Sequence, residues 1–167
     1  GSQSVAGGNP GFSEGLLNIG LTWEAAPGYT VFASFNEGFG MPDVGRVLRG
    51  INEPGQSVED FLNLQPVVTD NYEIGLRHSS ESFSLAASLF FSDSDLGSRL
   101  SADADGIFSV NREKTETYGI ELSGSVKPSA EDTLEARFAL VEGKFDADDN
   151  GSVDTRLGGT NIPPARL

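Results

Sequence analysis

The chain contains no cysteine. That excludes disulfide frameworks, thiolate chemistry and cysteine-ligated zinc. No run of about 18 apolar residues occurs, so no segment is a membrane-spanning helix. Cations are scarce: 11 Lys and Arg stand against 25 Asp and Glu, for a formal net charge of −14. Phosphates need a basic footprint, so nucleic acid is excluded as a partner. Hydrophobic residues make up 37% of the 167 positions, beside 21 glycines. This is lean for a compact soluble domain and suits a molecule with a wet interior. The chain opens on Gly1, shows no leader, and stops at Leu167 without a terminal signal. A single partial domain over residues 1–167, cut from a longer protein, is expected.

What is present is alternation. Residues 83–91 read Phe-Ser-Leu-Ala-Ala-Ser-Leu-Phe-Phe, with Phe83, Leu85, Ala87, Leu89 and Phe91 apolar and Ser84, Ala86 and Ser88 small or polar. A two-residue period puts these sets on opposite faces of a strand. The same split recurs around Leu17–Trp23, Tyr29–Asn36, Asn71–Arg77, Thr117–Val126 and Leu134–Leu140. The apolar register carries no charge, whereas the polar one carries Glu73, Arg77, Glu121, Glu135 and Arg137. No segment has the three-to-four spacing of a helix. Six complete strands are expected, joined antiparallel and up-and-down.

The connections alternate in length. Those at residues 24–28, 78–82 and 127–132 are short; those at 38–70, 92–116 and beyond 143 are long and polar. In an up-and-down sheet every second connection shares a rim, so one rim is tight and the other elaborate. The middle excursion reads as a hairpin around Asp103-Ala-Asp-Gly106, its arms extending strands four and five.

Alternation leaves two arrangements open. A soluble sandwich turns its apolar face to a core. A membrane barrel turns it to lipid and keeps charge in the lumen. Three features favour the barrel. The rims are unequal; Trp23 and Tyr29 at one end, with Tyr72 and Tyr118 at the other, match two interfacial girdles; and Glu and Arg mix in mid-strand.

The residues also resemble the TonB-dependent outer-membrane receptors, siderophore receptors above all. Tyr29–Pro42 resembles that family's strand ending in a Gly-Phe-x-x-Pro loop. Leu64–Arg77 is similar to its Leu-x-Pro-Glu…Tyr-Glu-x-Gly segment, with Val67 where the family has Glu. Phe90-Phe91-Ser92-Asp93, Tyr118-Gly119-Ile120-Glu121-Leu122 and Ile162-Pro163-Pro164 resemble three further motifs, in order, so the likeness spans about residues 16–167. The resemblance implies a 22-stranded transmembrane β-barrel in the bacterial outer membrane, filled by a plug outside this chain. It implies uptake of a metal chelate, most of all a ferric siderophore. It also implies energy supplied to the plug by an inner-membrane TonB-type complex, outer-membrane lipid as surroundings, no enzymatic step and no cofactor. A passive channel or adhesin, and a soluble sandwich binding calcium or sugar, are the alternatives; a glycosidase using Glu121 or Glu135 is a more distant one.

The long excursion at 38–70 is the candidate ligand contact, with Phe39 and Met41 as apolar groups and Arg46 and Arg49 as the only cations of the first 70 residues. The five charges of the polar register are expected in the lumen, holding the wall against the plug rather than forming a catalytic set. Asp146-Ala-Asp-Asp-Asn-Gly151 opens like a calcium loop, with Asp146, Asp148, Asn150 and Asp154 at ligand positions. The bidentate Glu expected at the twelfth place is Leu157, so it reads as a solvated acidic loop, with calcium as the alternative. His78 is assigned to a tight turn.

Overall fold

The computed structural model describes residues 13–40, 67–102 and 108–166. These form β1 (Asn18–Ala26), β2 (Tyr29–Gly40), β3 (Val67–Ser79), β4 (Phe83–Ala102), β5 (Phe108–Val126), β6 (Leu134–Phe145) and β7 (Thr155–Arg156). All seven lie in one sheet in chain order, each antiparallel to the next. The expected meander is thus formed. The extension of strands four and five is formed too, since their ladder runs on to Ala102 and Phe108. The turn expected at 103–106 lies outside the described residues. β7 pairs over two residues only, and the chain returns to the sheet where Arg166 exchanges hydrogen bonds of 3.0 and 3.1 Å with Ala139.

The tight rim follows from local chemistry. Pro27 presets φ, and Gly28 takes φ +77°, a conformation open to glycine without strain. A Cβ on Gly28 would also lie 2.6 Å from Ser79 O, so the turn needs glycine twice over. The Ser79 N–H donates to Gly28 O at 2.9 Å, and Lys127 N–H to Ser82 O at 2.9 Å, knitting the neighbouring turns together.

Cross-strand register aligns the apolar sets of all six long strands. One row reads Leu21, Ala33, Ile74, Leu89, Ile120 and Leu140; the next reads Trp23, Val31, Leu76, Ala87, Leu122 and Phe138. A one-residue slip between any two strands would move one set to the other face. This face is uncovered: Leu21 is 69%, Leu89 57% and Leu134 62% exposed. Among the described residues there is no second layer, and Phe145 is the one buried hydrophobic side chain. A sandwich would bury Leu85, Ile120 and Phe138 against a facing sheet, and no such sheet exists in the described structure. The apolar face is instead a contiguous patch far larger than a soluble monomer exposes.

Aromatic rings bound that patch at both ends. Phe35, Tyr72, Phe91 and Tyr118 form one row across β2–β5. The Phe35–Tyr72 and Tyr72–Phe91 centroids are 5.0 and 6.2 Å apart. At the tight rim Tyr29 stacks on His78 at 4.1 Å, and His78 lies 5.8 Å from Phe83. His78 is therefore the penultimate residue of β3 and a member of the lower ring row, not a turn residue. The eight residue steps from Phe83 to Phe91 span ~27 Å along a strand and roughly 20 Å after a tilt of about 40°. That fits a band about 25 Å tall.

Two residues beyond the upper ring row, the same register turns acidic. Glu37, Asp70, Asp93 and Glu116 stand side by side on four adjacent strands, followed by Lys144 and Arg156. The apolar band ends there.

Candidate functional site

The opposite face gathers the charges. Arg77, Ala86, Ser123 and Arg137 share one cross-strand row; Phe32, Gly75, Ser88 and Glu121 share the next; Glu73 stands one row further up. Strand alternation is the cause, since each of these positions is one residue from an apolar-face neighbour. A hollow of ≈ 530 Å³ opens over them, lined by Phe32, Glu73, Arg77, Glu121, Arg137 and Arg166. Glu135 lies lower on β6, its Oε2 3.7 Å from Arg137 Nη2. That pair is well exposed, at 60% and 82%, so it contributes little to stability in water. All five charges expected together thus share one face. Arg166, the last described residue, adds a third cation to the hollow that alternation within the six strands did not reveal.

Two phenylalanines break the polar pattern for a steric reason. Phe32 lies opposite Gly75, and a Cβ there would overlap its ring and sit 2.7 Å from Ala87 O. Phe90 covers Gly119 in the same way, 2.6 Å from where a Cβ would be. Each ring fills the space above a bare backbone, as aromatic rescue of strand glycines does. The Arg77 guanidinium then sits 4.4 Å over the Phe32 ring. The signal was present: in both pairs an out-of-place Phe stands opposite a Gly.

Above the hollow the polar face is neutral. The Asn71 Nδ2 donates to Asn36 O at 3.0 Å and to Thr69 O at 3.1 Å, and the Ser92 hydroxyl donates to Asn71 Oδ1 at 2.7 Å. Ser94, itself buried, donates to Val68 O at 2.7 Å. These groups are spent on one another and stiffen the upper strands.

Further along, β4 is irregular between Ser94 and Gly97, where three steps on β4 meet two on β5. The extra residue reverses alternation. Arg99 would otherwise share the face of Phe91 and Asp93. It is turned instead onto the face of Glu113 and Phe145.

Phe39 is the penultimate residue of β2, 38% exposed and in the register of Phe35 and Glu37. The strand therefore does not aim it at the polar face. Met41, Arg46 and Arg49 lie outside the described residues.

The calcium-like loop is closed by its own backbone. Asp146 accepts the Asn150 and Gly151 N–H groups at 3.2 and 2.7 Å, and Asn150 Nδ2 donates to Asp148 Oδ2 at 3.0 Å. Asp149 and Gly151 take φ of 56° and 86° to make the turn. Enclosure opposes ionisation of Asp146, but the backbone donors of Gly151, Asn150 and Asp148 prevail and hold its carboxyl below the usual range. Among the described residues, no three His, Cys, Asp or Glu side chains converge as a metal site.

Comparison with known proteins accords with this geometry. The chain is 26% identical over 136 residues to the rhizobactin receptor of Rhizobium meliloti (strain 1021), covering 75% of this chain and 18% of that protein. Among solved structures it resembles the copper transporter OprC, with a TM-score of 0.68 at 20% identity, over 90% of this chain and 22% of OprC. It also resembles the FrpB iron transporter from Neisseria meningitidis (F3-3 variant), with a TM-score of 0.54 at 14% identity, over 78% of this chain and 20% of that one. At such identity the structural matches speak for the fold. The chain spans about a fifth of the length of each of these relatives. The family model described as TonB dependent receptor-like, beta-barrel, matches residues 2–167. An exposed apolar band between ring rows, a charged opposite face and that match over nearly the whole length lead to one assignment: the chain belongs to the TonB-dependent receptor β-barrel family of the bacterial outer membrane, a family of receptors and not of enzymes.

Proposed function

We propose that this chain is part of the barrel wall of a receptor that imports a metal chelate, in particular a ferric siderophore. The observation that carries the reading is the pairing of two faces: an apolar band bounded by aromatic rows, backed by a face that gathers Glu73, Arg77, Glu121 and Arg137 around one hollow. Lipid takes the first face. The second lines the bore, where mixed charges hold a plug supplied by another part of the receptor. The relative named as a rhizobactin receptor supports the chelate reading. The long excursion after β2, with Met41, Arg46 and Arg49, supplies contacts to an anionic chelate from the outer rim. Import draws on an inner-membrane TonB-type complex acting on the plug.

The test uses the complete receptor. Purified in detergent, it is titrated with ferric trihydroxamate, ferric catecholate and iron-free chelators, and tryptophan fluorescence is recorded. Saturable quenching by one ferric chelate, absent with its iron-free form, is expected. Gene deletion should then abolish growth on that chelate under iron limitation. Equal growth with and without the gene on every ferric chelate tried would overturn the proposal.

A further inference from the structure

The β4–β5 extension rises beyond both the upper ring row and the acidic row, yet it does not stand free. The bulge at 94–97 turns Arg99 onto the polar face. There its Nε and Nη2 donate to the two carboxylate oxygens of Glu113 at 2.6 and 2.9 Å, a bidentate fork. The same guanidinium lies 4.1 Å over the ring of Phe145 at the end of β6. Both charged side chains are largely enclosed, at 18% and 19% exposure, and Phe145 is 8% exposed. The hydrogen bond to Glu113 raises the Arg99 pKa above its usual value against the opposing effect of burial. Gly97 stands directly opposite Glu113, and a Cβ on it would overlap the Thr115 side chain. The Asp146 N–H donates to Lys114 O at 3.0 Å, so backbone also joins the extension to the end of β6.

We propose that the bulge and the Arg99–Glu113–Phe145 contact form a latch. It fixes the extracellular extension of β4–β5 against β6 as a rigid wall of the vestibule above the bore. Ligand-driven movement then belongs to other segments of the rim, and Arg99 acts by positioning this wall, not by touching the ligand. The vestibule assignment rests on the receptor reading above; the latch itself does not. Three strands meet at one guanidinium, which no surface ion pair between two adjacent strands achieves. An enclosed ion pair resists salt screening and leaves an unmatched charge if either partner is removed, so the extension should open when one member is lost.

Hydrogen exchange followed by mass spectrometry on the full receptor in detergent tests this. The proteins are wild type, Arg99→Gln, Arg99→Lys, Glu113→Gln and the swapped pair R99E/E113R. Residues 117–126 within the membrane band serve as the folding control. Amides of 108–116 should exchange about tenfold faster in each single variant. The swapped pair should recover to within about threefold of wild type. Arg99→Lys keeps the charge and loses the fork, so it covers the case in which Arg99→Gln does not fold. Wild-type exchange in 108–116 as fast as in the single variants would overturn the latch, as would a swapped pair no slower than they are. Repeating the measurement with a saturating ferric trihydroxamate separates the two proposals. Saturable binding without change in 108–116 supports a fixed wall, and a large ligand-induced change there refutes it. Absence of binding by any ferric chelate counts against the receptor reading alone, since the latch is read without ligand.

Discussion

Replacing Leu122 by arginine asks whether the apolar face meets lipid. Leu122 is 36% exposed and lies midway between Tyr118 and Val126, four residues from each. At an exposed position in water, such a change falls within about ±0.5 kcal/mol. In a barrel wall the same position lies near the bilayer midplane, where Arg on the lipid face costs about 2–4 kcal/mol. By the rule that 1.4 kcal/mol is tenfold, that is a loss of roughly 30- to 700-fold in the folding equilibrium. The control is Ser88→Arg, on the opposite face and paired directly with Glu121. A cation there meets an opposite charge across the strands and should change stability by about 0.2–1 kcal/mol at most, in the favourable direction. The assay is guanidinium unfolding of the intact receptor from phospholipid vesicles, followed by tryptophan fluorescence. The reasoning fails if Leu122→Arg proves no more costly than Ser88→Arg.

Three further outcomes are expected. Gly119→Ala should destabilise by about 1–3 kcal/mol, because its Cβ meets the backbone carbonyl of Leu140 as well as the Phe90 ring; Phe90→Leu in the same chain relieves only the second contact and should recover a minor part of the loss in thermal melts. Asp93→Asn should stabilise by about 0.2–1 kcal/mol, since Asp93 stands between Asp70 and Glu116 and its buried Oδ1 lacks a hydrogen-bond partner; a lowered melting temperature would refute this. The Asp146 carboxyl is depressed in the folded state, so its contribution is complete above the ordinary value of 3.8 and is lost as pH falls through the lower folded value. The Asn150 and Gly151 amides should therefore exchange faster below about pH 4, and Asp146→Asn should abolish that dependence.

Most of the sheet could be read from letters because burial requirements differ sharply between its faces. Phe83, Leu85, Leu89 and Phe91 cannot exchange places with Ser84 and Ser88 without presenting hydroxyls to lipid, so alternation determined strand number, order and facing. The same argument groups Glu73, Arg77, Glu121, Glu135 and Arg137 from the letters alone. It failed where neither face is apolar. In Ser92–Ala102 both registers are polar, so pattern could not locate the extra residue near Gly97 or the reversal that aims Arg99. The letters place His78 at the head of the short connection 78–82; its stacking on Tyr29 keeps it in β3 instead. Arg166 joined the hollow only through the return of the chain beside Ala139, a long-range pairing with no local signature.

The reversal at the bulge also bears on how such a wall diversifies. Along most of β4, lengthening or shortening the strand by one residue would turn greasy groups inward and ruin the barrel. Beyond Ser94 that penalty is absent, because both sides are already hydrophilic. There the sheet takes up a surplus residue as a bulge, and Gly97 and Arg99 still stand opposite Glu113 and Asn111. Loss of that surplus residue would leave the same side chains on the inner surface, so this one point of the arm tolerates a change of length without altering what it shows to whatever enters the rim.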